Sequence, residues 1–576
     1  VARISPARFM REVLVPLALA LPPLFWVVDA TKRASFTTLG RDQGIFQYVA
    51  WAIGRGSIDY RDVRDVNGPL THLVHLIFLA LGGADEHRFH VLDLCVTGFT
   101  FAVVGAAVAG LGERRAPGPL ARVAWALAGW VILSGQYLLY GFWDLAQRES
   151  FFDWFLLPAV ALQMVAQSPW RSAKGQVRLV ALAGALAVVP WFGKPTYAAF
   201  TAVQVAALLV DDRLAAPRRK VLAAFGVGMA LGALAPLAFL LAYGDAAAYL
   251  RIQLADVPAM YRFIWPRSVA EIFSSPWCAT QAIFAVGGAF VIGALIALGE
   301  MPRRALAVAL LPIAAIASVV AQAKGFPYHF HPVTAGVSLQ WLCFVSWLEG
   351  RTRVALRRLA LLRLVPVAAA GIVALRVATA IEDSPHIRAT WLLWGAATPA
   401  ERETAEYFEH FPEPDYFPFE MRAAARFLRD STRDDDTVQT YGMDPYVLFL
   451  AGRASATPYI YAYDLDADAA LGGGTGGHPD AAQSERIRAI RDEHETDMLR
   501  RLVSRPPAAF VFLDGSPLLS RADAFDDFEA HCARSAVWVR THFVEAARFG
   551  HDHVWLRRDR APAAEPGDEE TSPSPR

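Results

Sequence analysis

Along the chain, apolar residues gather into long runs separated by short charged clusters, and only toward the C-terminal end do the runs shorten into brief alternating elements. A helix that crosses the hydrocarbon layer of a membrane needs about 20 mostly apolar residues, fewer where aromatic residues cap it. Runs of this kind fall at 13–30, 89–111, 120–135, 150–167, 178–192, 195–210, 220–243, 277–299, 305–322, 332–349 and 361–380. A twelfth run, Leu70 to Leu81, is short and interrupted by His72 and His75, which suit an interfacial position better than a ligand role. The first run is long, contains Pro22-Pro23 and continues into Thr31-Lys32-Arg33 without a small-residue cleavage site, so a membrane helix is expected there rather than a secretory signal.

Orientation follows from the basic connections: Arg3/Arg8/Arg11, Arg114/Arg115, Arg171/Lys174/Arg178, Arg213/Arg218/Arg219/Lys220, Arg303/Arg304 and Arg351/Arg353/Arg357/Arg358. All of them lie on the cytoplasmic side if Leu70 to Leu81 does not cross. The expectation is a polytopic α-helical membrane module over 1–380 with eleven spans (twelve or thirteen if short runs also cross), its N-terminus inside. The opposite face then carries loops 31–88, 136–149 and 244–276 and the turns Gly193-Lys194 and Lys324 to Pro332. Loop 244–276 places Tyr249, Ile252, Leu254, Met260 and Phe263 among charges, as a helix lying in the interface would, although an ordinary connection reads equally well.

Beyond Glu382 the pattern predicts an extracytoplasmic α/β domain over 381–560. Helices are expected at Pro418 to Arg429, Tyr446 to Ala451 and about Ala481 to Leu502, and strands at Thr437 to Tyr441, Ala509 to Leu513, Val537 to Thr541 and Val554 to Arg557. The glycine-rich stretch Gly472 to Gly477 lacks the Lys-Ser/Thr of a phosphate loop and reads as a flexible connection. The acidic, Pro/Ser-rich tail 561–576 reads as disordered.

Composition agrees with the pattern. The chain is 55% hydrophobic and 19% charged, against about 25% charged in an average soluble protein, so the surplus apolar surface faces lipid. Zero net charge and the lack of any nucleic-acid motif argue against a nucleic-acid partner. Cys95, Cys278 and Cys343 sit in apolar runs and Cys532 stands apart, which leaves no disulfide framework or paired-cysteine metal motif. Only five of the 55 basic residues are lysines, so a lysine between two apolar runs is conspicuous.

After the first run the sequence reads Gly40-Arg41-Asp42-Gln43-Gly44-Ile45-Phe46-Gln47-Tyr48, then Gly54-Arg55-Gly56-Ser57-Ile58-Asp59-Tyr60-Arg61-Asp62, then Asn67-Gly68-Pro69-Leu70. This order resembles the first external loop of GT-C glycosyltransferases, which include aminoarabinose transferases and protein O-mannosyltransferases. The motif covers about thirty residues; the long first and fourth external loops and the outer domain extend the resemblance to most of the chain. It implies a glycosyltransferase that moves a sugar from a polyprenyl-phosphate carrier to a lipid, glycan or protein acceptor at the outer face of a bacterial cytoplasmic membrane. Asp42 matches the acidic position that serves as catalytic base or metal ligand in the family, and Tyr60 and Asp62 match the following motif. The chemistry asks for the same groups: a carboxylate to activate the acceptor and cations to steady the departing phosphate. An aspartate capping the next helix is the plainer reading of Asp42. Gln43, where relatives often carry a second acid, departs from the family pattern and puts a metal-bound mechanism in doubt, and Asn67-Gly68-Pro69 departs from it as well; no metal ligand is assigned, and a divalent cation stays open.

Other candidates lie on the same predicted face. Asp144, Arg148 and Glu149 stand at the mouth of a span, where either acid fits the family's second acidic position and an Arg148 to Asp144 salt bridge is the alternative. Lys194, Lys324, Tyr328, His329 and His331 suit contacts to a donor phosphate or sugar, with snorkelling as the plain reading of Lys194 and a His329/His331 metal pair a weaker one. Tyr441 to Tyr446 and Ala451 to Tyr459 resemble segments of the outer domains of such transferases, with acceptor docking and packing equally open. A secondary transporter would place ionisable residues near mid-membrane, and a non-catalytic scaffold of the same fold would tolerate loss of Asp42.

Overall fold

The computed structural model describes residues 6–111, 116–211, 214–355, 364–383 and 415–561. Residues 562–576 of the tail expected to be disordered and residues 384–414 of the outer domain lie outside the described residues.

Each of the eleven long apolar runs is helical: Pro6–Ala34, Glu86–Val108, Pro119–Leu138, Arg148–Ala166, Ala173–Val188, Ala198–Val210, Arg218–Gly232 continued by Leu234–Tyr243, Pro276–Ala297, Leu306–Gln322, His331–Ala355 and Val365–Asp383. Among the described residues, eight helices are long and apolar enough to cross a membrane. The chain is a multi-pass membrane protein. Phe99 and Phe290 expose more than seven-tenths of their surface, as lipid-facing side chains do, while several polar groups inside the bundle find hydrogen-bond partners. The Tyr137 hydroxyl donates to Asp93 at 2.7 Å, Gln163 to the Gln204 carbonyl at 2.9 Å and Arg304 to the Leu111 carbonyl at 2.6 Å. Without water in the hydrocarbon layer each such partner spares a desolvated polar group its cost.

The interrupted run Leu70 to Leu81 forms a helix, Pro69–Gly82, about 21 Å long at 1.5 Å per residue and short of the roughly 30 Å hydrocarbon thickness. It follows a second helix of the first loop, Arg41–Gly54. The segment between them is zipped to the fourth loop: the Asp59 amide donates to the Tyr243 carbonyl at 2.9 Å and the Asp245 amide to the Asp59 carbonyl at 3.0 Å. In the fourth loop Leu254 is exposed on a short helical turn, whereas Ile252, Met260 and Phe263 are buried against the rest of the protein.

The C-terminal region builds a five-stranded sheet from β1 (Thr437–Tyr441), β2 (Ala454–Ser455), β3 (Ala509–Leu513), β4 (Phe543–Phe549) and β5 (Asp552–Arg557) in the order β2-β1-β3-β5-β4. β1 runs parallel to β2 and β3, and the β4–β5 hairpin closes the other edge antiparallel. The strand expected at Val537 to Thr541 is instead part of a helix, Ala533–His542. Its alternating β-branched residues mimic a strand, but Val537 is exposed while Ala536 and Val539 are buried, a three-residue spacing that only a helix produces. The glycine-rich loop is docked rather than free: Gly476 N–H donates to the Pro266 carbonyl at 2.8 Å and Ser268 N–H to Thr475 Oγ1 at 3.0 Å.

Buried ion pairs join this region to the first loop. Arg41 donates to Asp444 at 2.8 Å, Arg64 bridges Asp256 at 2.9 Å and Asp464 at 2.8 Å, and Arg422 meets Glu86 at 2.8 Å. The Tyr446 ring lies over Gly44, where an added Cβ would come within 2.8 Å of it, so only glycine permits this approach. Arg64→Ala would strip two buried carboxylates of their shared cation and is expected to cost on the order of 3 kcal/mol. A clearly lower thermal midpoint of the detergent-solubilised protein is the expected reading, partly recovered in Arg64→Lys.

Candidate functional site

The helix that carries Asp42 begins at Arg41, with Gly40 in the capping position. Capping falls to Gln43, whose side-chain oxygen accepts from the Gly40 amide at 2.9 Å and whose amide nitrogen donates to the Leu145 carbonyl of the second loop. Asp42 is therefore not the cap. Its carboxylate retains 27% exposure and stands 4.0 Å from the Arg148 guanidinium. Burial raises its pKa and Arg148 opposes the rise, while Glu149 adds to it.

Glu149, with no exposed side-chain surface, organises the groups behind Asp42. Lys194 forms an ion pair with one of its oxygens, His329 Nε2 lies 3.6 Å from the same oxygen, and Arg148 Nε is 3.5 Å from the other. Lys194 also donates to Gln322 and lies 3.2 Å from His329 Nε2. Arg148 donates to the Tyr328 hydroxyl at 3.2 Å and lies over the Phe46 and Tyr328 rings. Burial, only partly offset by Glu149, brings the Lys194 pKa down to about 8. Burial and then the Lys194 charge hold His329 well below the usual histidine range, so it stands neutral beside the cations.

Behind Arg148 runs a buried relay. Asp59 and Asp65 flank His72 at 2.7 Å on Nδ1 and 2.8 Å on Nε2. The Asn67 side chain donates to Asp65 at 2.7 Å and its carbonyl oxygen accepts from Arg148. Burial alone would lower the His72 pKa, but the two carboxylates outweigh it and push it up to about 10. Asp65, which also accepts from Asn67, is held low, whereas burial raises Asp59. The interfacial reading of His72 is thus corrected: it is fully buried and charged between two acids. A histidine in an apolar run is costly unless paired, and that cost was the one available signal. Arg41, Arg64 and Gln322 carried no signal at all, because their partners lie far away along the chain.

The remaining predicted residues divide. Tyr60, in the left-handed backbone region, packs on the His72 ring and donates from its hydroxyl to the Asn67 carbonyl at 2.9 Å. His331 stacks on Tyr140 and is bonded to the backbone carbonyl of Asp144 at 2.7 Å. The Lys324 ammonium is taken up by the carbonyls of Tyr261, at 3.1 Å, and Ile264. Asp62 pairs with its exposed neighbour Arg61 at 2.9 Å and caps Ile58 N–H, apart from the cluster. The arrangement at Asp42 offers one partly open carboxylate before a guanidinium and an ammonium, a setting suited to proton abstraction next to a stabilised anion.

The helical bundle, the two long loops and the sheet-bearing C-terminal region together form a GT-C-like fold. In the solved structures it is similar to ArnT from Cupriavidus metallidurans in the apo state, at 15% identity over 94% of this chain and 98% of that one, with a TM-score of 0.55. The same protein bound to undecaprenyl phosphate aligns at 13% identity over 95% and 98% of the two chains, with a TM-score of 0.50. No protein-family model matches the chain, and no curated protein does.

Because folding raises the His72 pKa from 6.5 to about 10, its stabilising contribution is complete below pH 6.5 and is lost as pH rises toward 10. His72→Asn should lower the thermal midpoint at neutral pH and flatten the decline that wild type shows across that window. Parallel pH profiles for the two proteins would contradict a charged His72.

Proposed function

We propose that the chain is an inverting glycosyltransferase that takes a sugar from a polyprenyl-phosphate carrier and transfers it to an acceptor at the outer face of a bacterial cytoplasmic membrane. The observation that carries this reading is the partly exposed Asp42 carboxylate facing the Arg148 guanidinium, with Lys194 anchored behind it through Glu149. The fold shared with a protein crystallised with undecaprenyl phosphate supports it, as does the alternation along the chain of arginine-rich connections with the segments that bear the site. On the same reading the C-terminal domain is extracytoplasmic.

In the reaction Asp42 accepts the proton of an acceptor hydroxyl or amine as that atom attacks the anomeric carbon from the side opposite the phosphate. The bond from the anomeric carbon to the phosphate oxygen breaks, and its electron pair leaves with the phosphate. A carboxylate whose pKa burial has raised is a stronger base than an exposed one. Arg148 and Lys194 meet the negative charge that grows on the departing phosphate. Glu149 holds both cations in place, and the relay from Asp59 to Asn67 fixes Arg148 from behind. Tyr328 and His329 contact Arg148 and Lys194, respectively.

Asp42→Asn is expected to cut transfer by at least about 100-fold while retention of the donor, read by native mass spectrometry against a panel of polyprenyl-phosphate sugars, is unchanged. Full activity of that variant would remove Asp42 as the base. Lys194→Ala should weaken donor retention about tenfold, the value of one exposed-to-buried charge contact. Since the Lys194 pKa is lowered to about 8, donor affinity in wild type should fall as pH rises through 8, and Lys194→Arg should remove that fall.

A further inference from the structure

The C-terminal domain holds a second cluster of ionisable groups, none of which belongs to the constellation around Asp42. Asp466, Asp527 and His531 each bring a ligand atom within 4.8 Å of the other two. Asp527 and His531 are one turn apart on the helix Ala524–His531, while Asp466 and Asp468 lie on the segment that follows Tyr463 and Asp464.

The imidazole is oriented by its own helix. His531 Nδ1 lies 2.9 Å from the Asp527 backbone carbonyl, and a carbonyl only accepts, so Nδ1 carries a hydrogen. Nε2 therefore points its other site at two carboxylates, 3.1 Å from Asp468 Oδ2 and 3.5 Å from Asp466 Oδ1. A histidine with Nδ1–H bound to a backbone carbonyl and Nε2 turned to carboxylates is the usual preparation for metal ligation. These two separations from Nε2 lie near the edge of a tetrahedron, roughly 3.3 Å for ligands at about 2.0 to 2.1 Å from zinc, and Asp527 brings an oxygen within 4.8 Å.

The carboxylates are unevenly satisfied. Asp527 Oδ1 accepts from the Ser520 and Arg521 amides and the Ser520 hydroxyl, and its Oδ2 accepts from the Tyr441 hydroxyl at 2.8 Å and lies 3.5 Å from His531 Nδ1. Asp466 Oδ1 accepts from the Asp468 amide at 2.7 Å, but Asp466 Oδ2 has no hydrogen-bond partner although the residue is 98% buried, its relative exposure being 2%. Among the described residues no arginine or lysine forms an ion pair with Asp466, Asp468 or Asp527. A buried, unpartnered carboxylate oxygen in a group of three acids calls for a cation.

We propose that Asp466, Asp468, Asp527 and His531 bind one divalent cation of the zinc or manganese class. One nitrogen and several carboxylate oxygens favour such a cation over calcium or magnesium, which prefer oxygen ligands alone. The ion joins the helix Ala524–His531, packed on the sheet, to the segment whose Asp464 pairs with Arg64 and whose Tyr463 packs on Tyr261. It thereby stiffens the part of the domain that touches the first and fourth loops.

The test uses the full-length, detergent-purified protein, stripped with a chelator, exposed to zinc chloride or manganese chloride and dialysed. Elemental mass spectrometry should find about one more equivalent in wild type than in Asp466→Asn or His531→Ala, and zinc should raise the thermal midpoint of wild type alone. Equal metal content in wild type and both variants would overturn the proposal and leave a second proton on His531 as the occupant. X-ray absorption of zinc-loaded wild type needs no variant: a first shell of one nitrogen and oxygens agrees, whereas sulfur or several histidine nitrogens would refute the assignment.

Discussion

Glu149 has no water to share its charge with, and the architecture around the site follows from that fact. A carboxylate removed from solvent is tolerated only when cations and hydrogen-bond donors surround it. Around Glu149 stand its sequence neighbour Arg148 and, from distant parts of the chain, Lys194 from the turn between two helices and His329 from the turn after Gln322. Satisfying one buried acid thus draws three connections onto a single point. Cations held in this way are already desolvated, so their charge acts on a neighbouring anion at greater strength than that of solvated side chains.

The same rule operates one layer out. His72 is charged because Asp59 and Asp65 enclose it, and Asp65 passes the constraint through Asn67 to Arg148. Each member is satisfied by the next, so Arg148 has little freedom to turn away from Asp42. The C-terminal domain is attached by further buried pairs, Arg41 with Asp444 and Arg64 with Asp464, and by Tyr446 seated on Gly44. Two of these contacts fall on the helix that carries Asp42 or immediately beside it. The domain is therefore part of what positions the candidate base, and not an independent appendage.

Where the sequence reading and the structure part, the cause is in each case a packing or pairing partner that the local pattern does not show. Val537 to Thr541 alternates as a strand does, yet the strand next to β5 is β4, and once that position is filled the preceding residues bury Ala536 and Val539 as a helix. The stretch Gly472 to Gly477 has only the Thr475 side chain to announce a contact, and its glycine backbone can lie close against Pro266 while Thr475 accepts from Ser268 N–H. His72 reads as interfacial until the two acids that enclose it are in place.

The sequence by itself determined the membrane class, the eleven helical runs, the α/β character of the C-terminal region and the grouping of Asp42, Arg148, Glu149, Lys194, Tyr328 and His329 in successive loops of one predicted face. Periodicity and apolar run length are local properties, and a helix in lipid must satisfy its own backbone, so these features are written residue by residue. Only the tertiary structure decided which acid stays open and which is consumed by cations, because that depends on pairings across dozens to hundreds of residues. Asp42 and Glu149 are both acids beside aromatic residues in the sequence; burial behind Lys194 and Arg148 separates their environments, since charge compensation is a property of the assembled space and not of the chain.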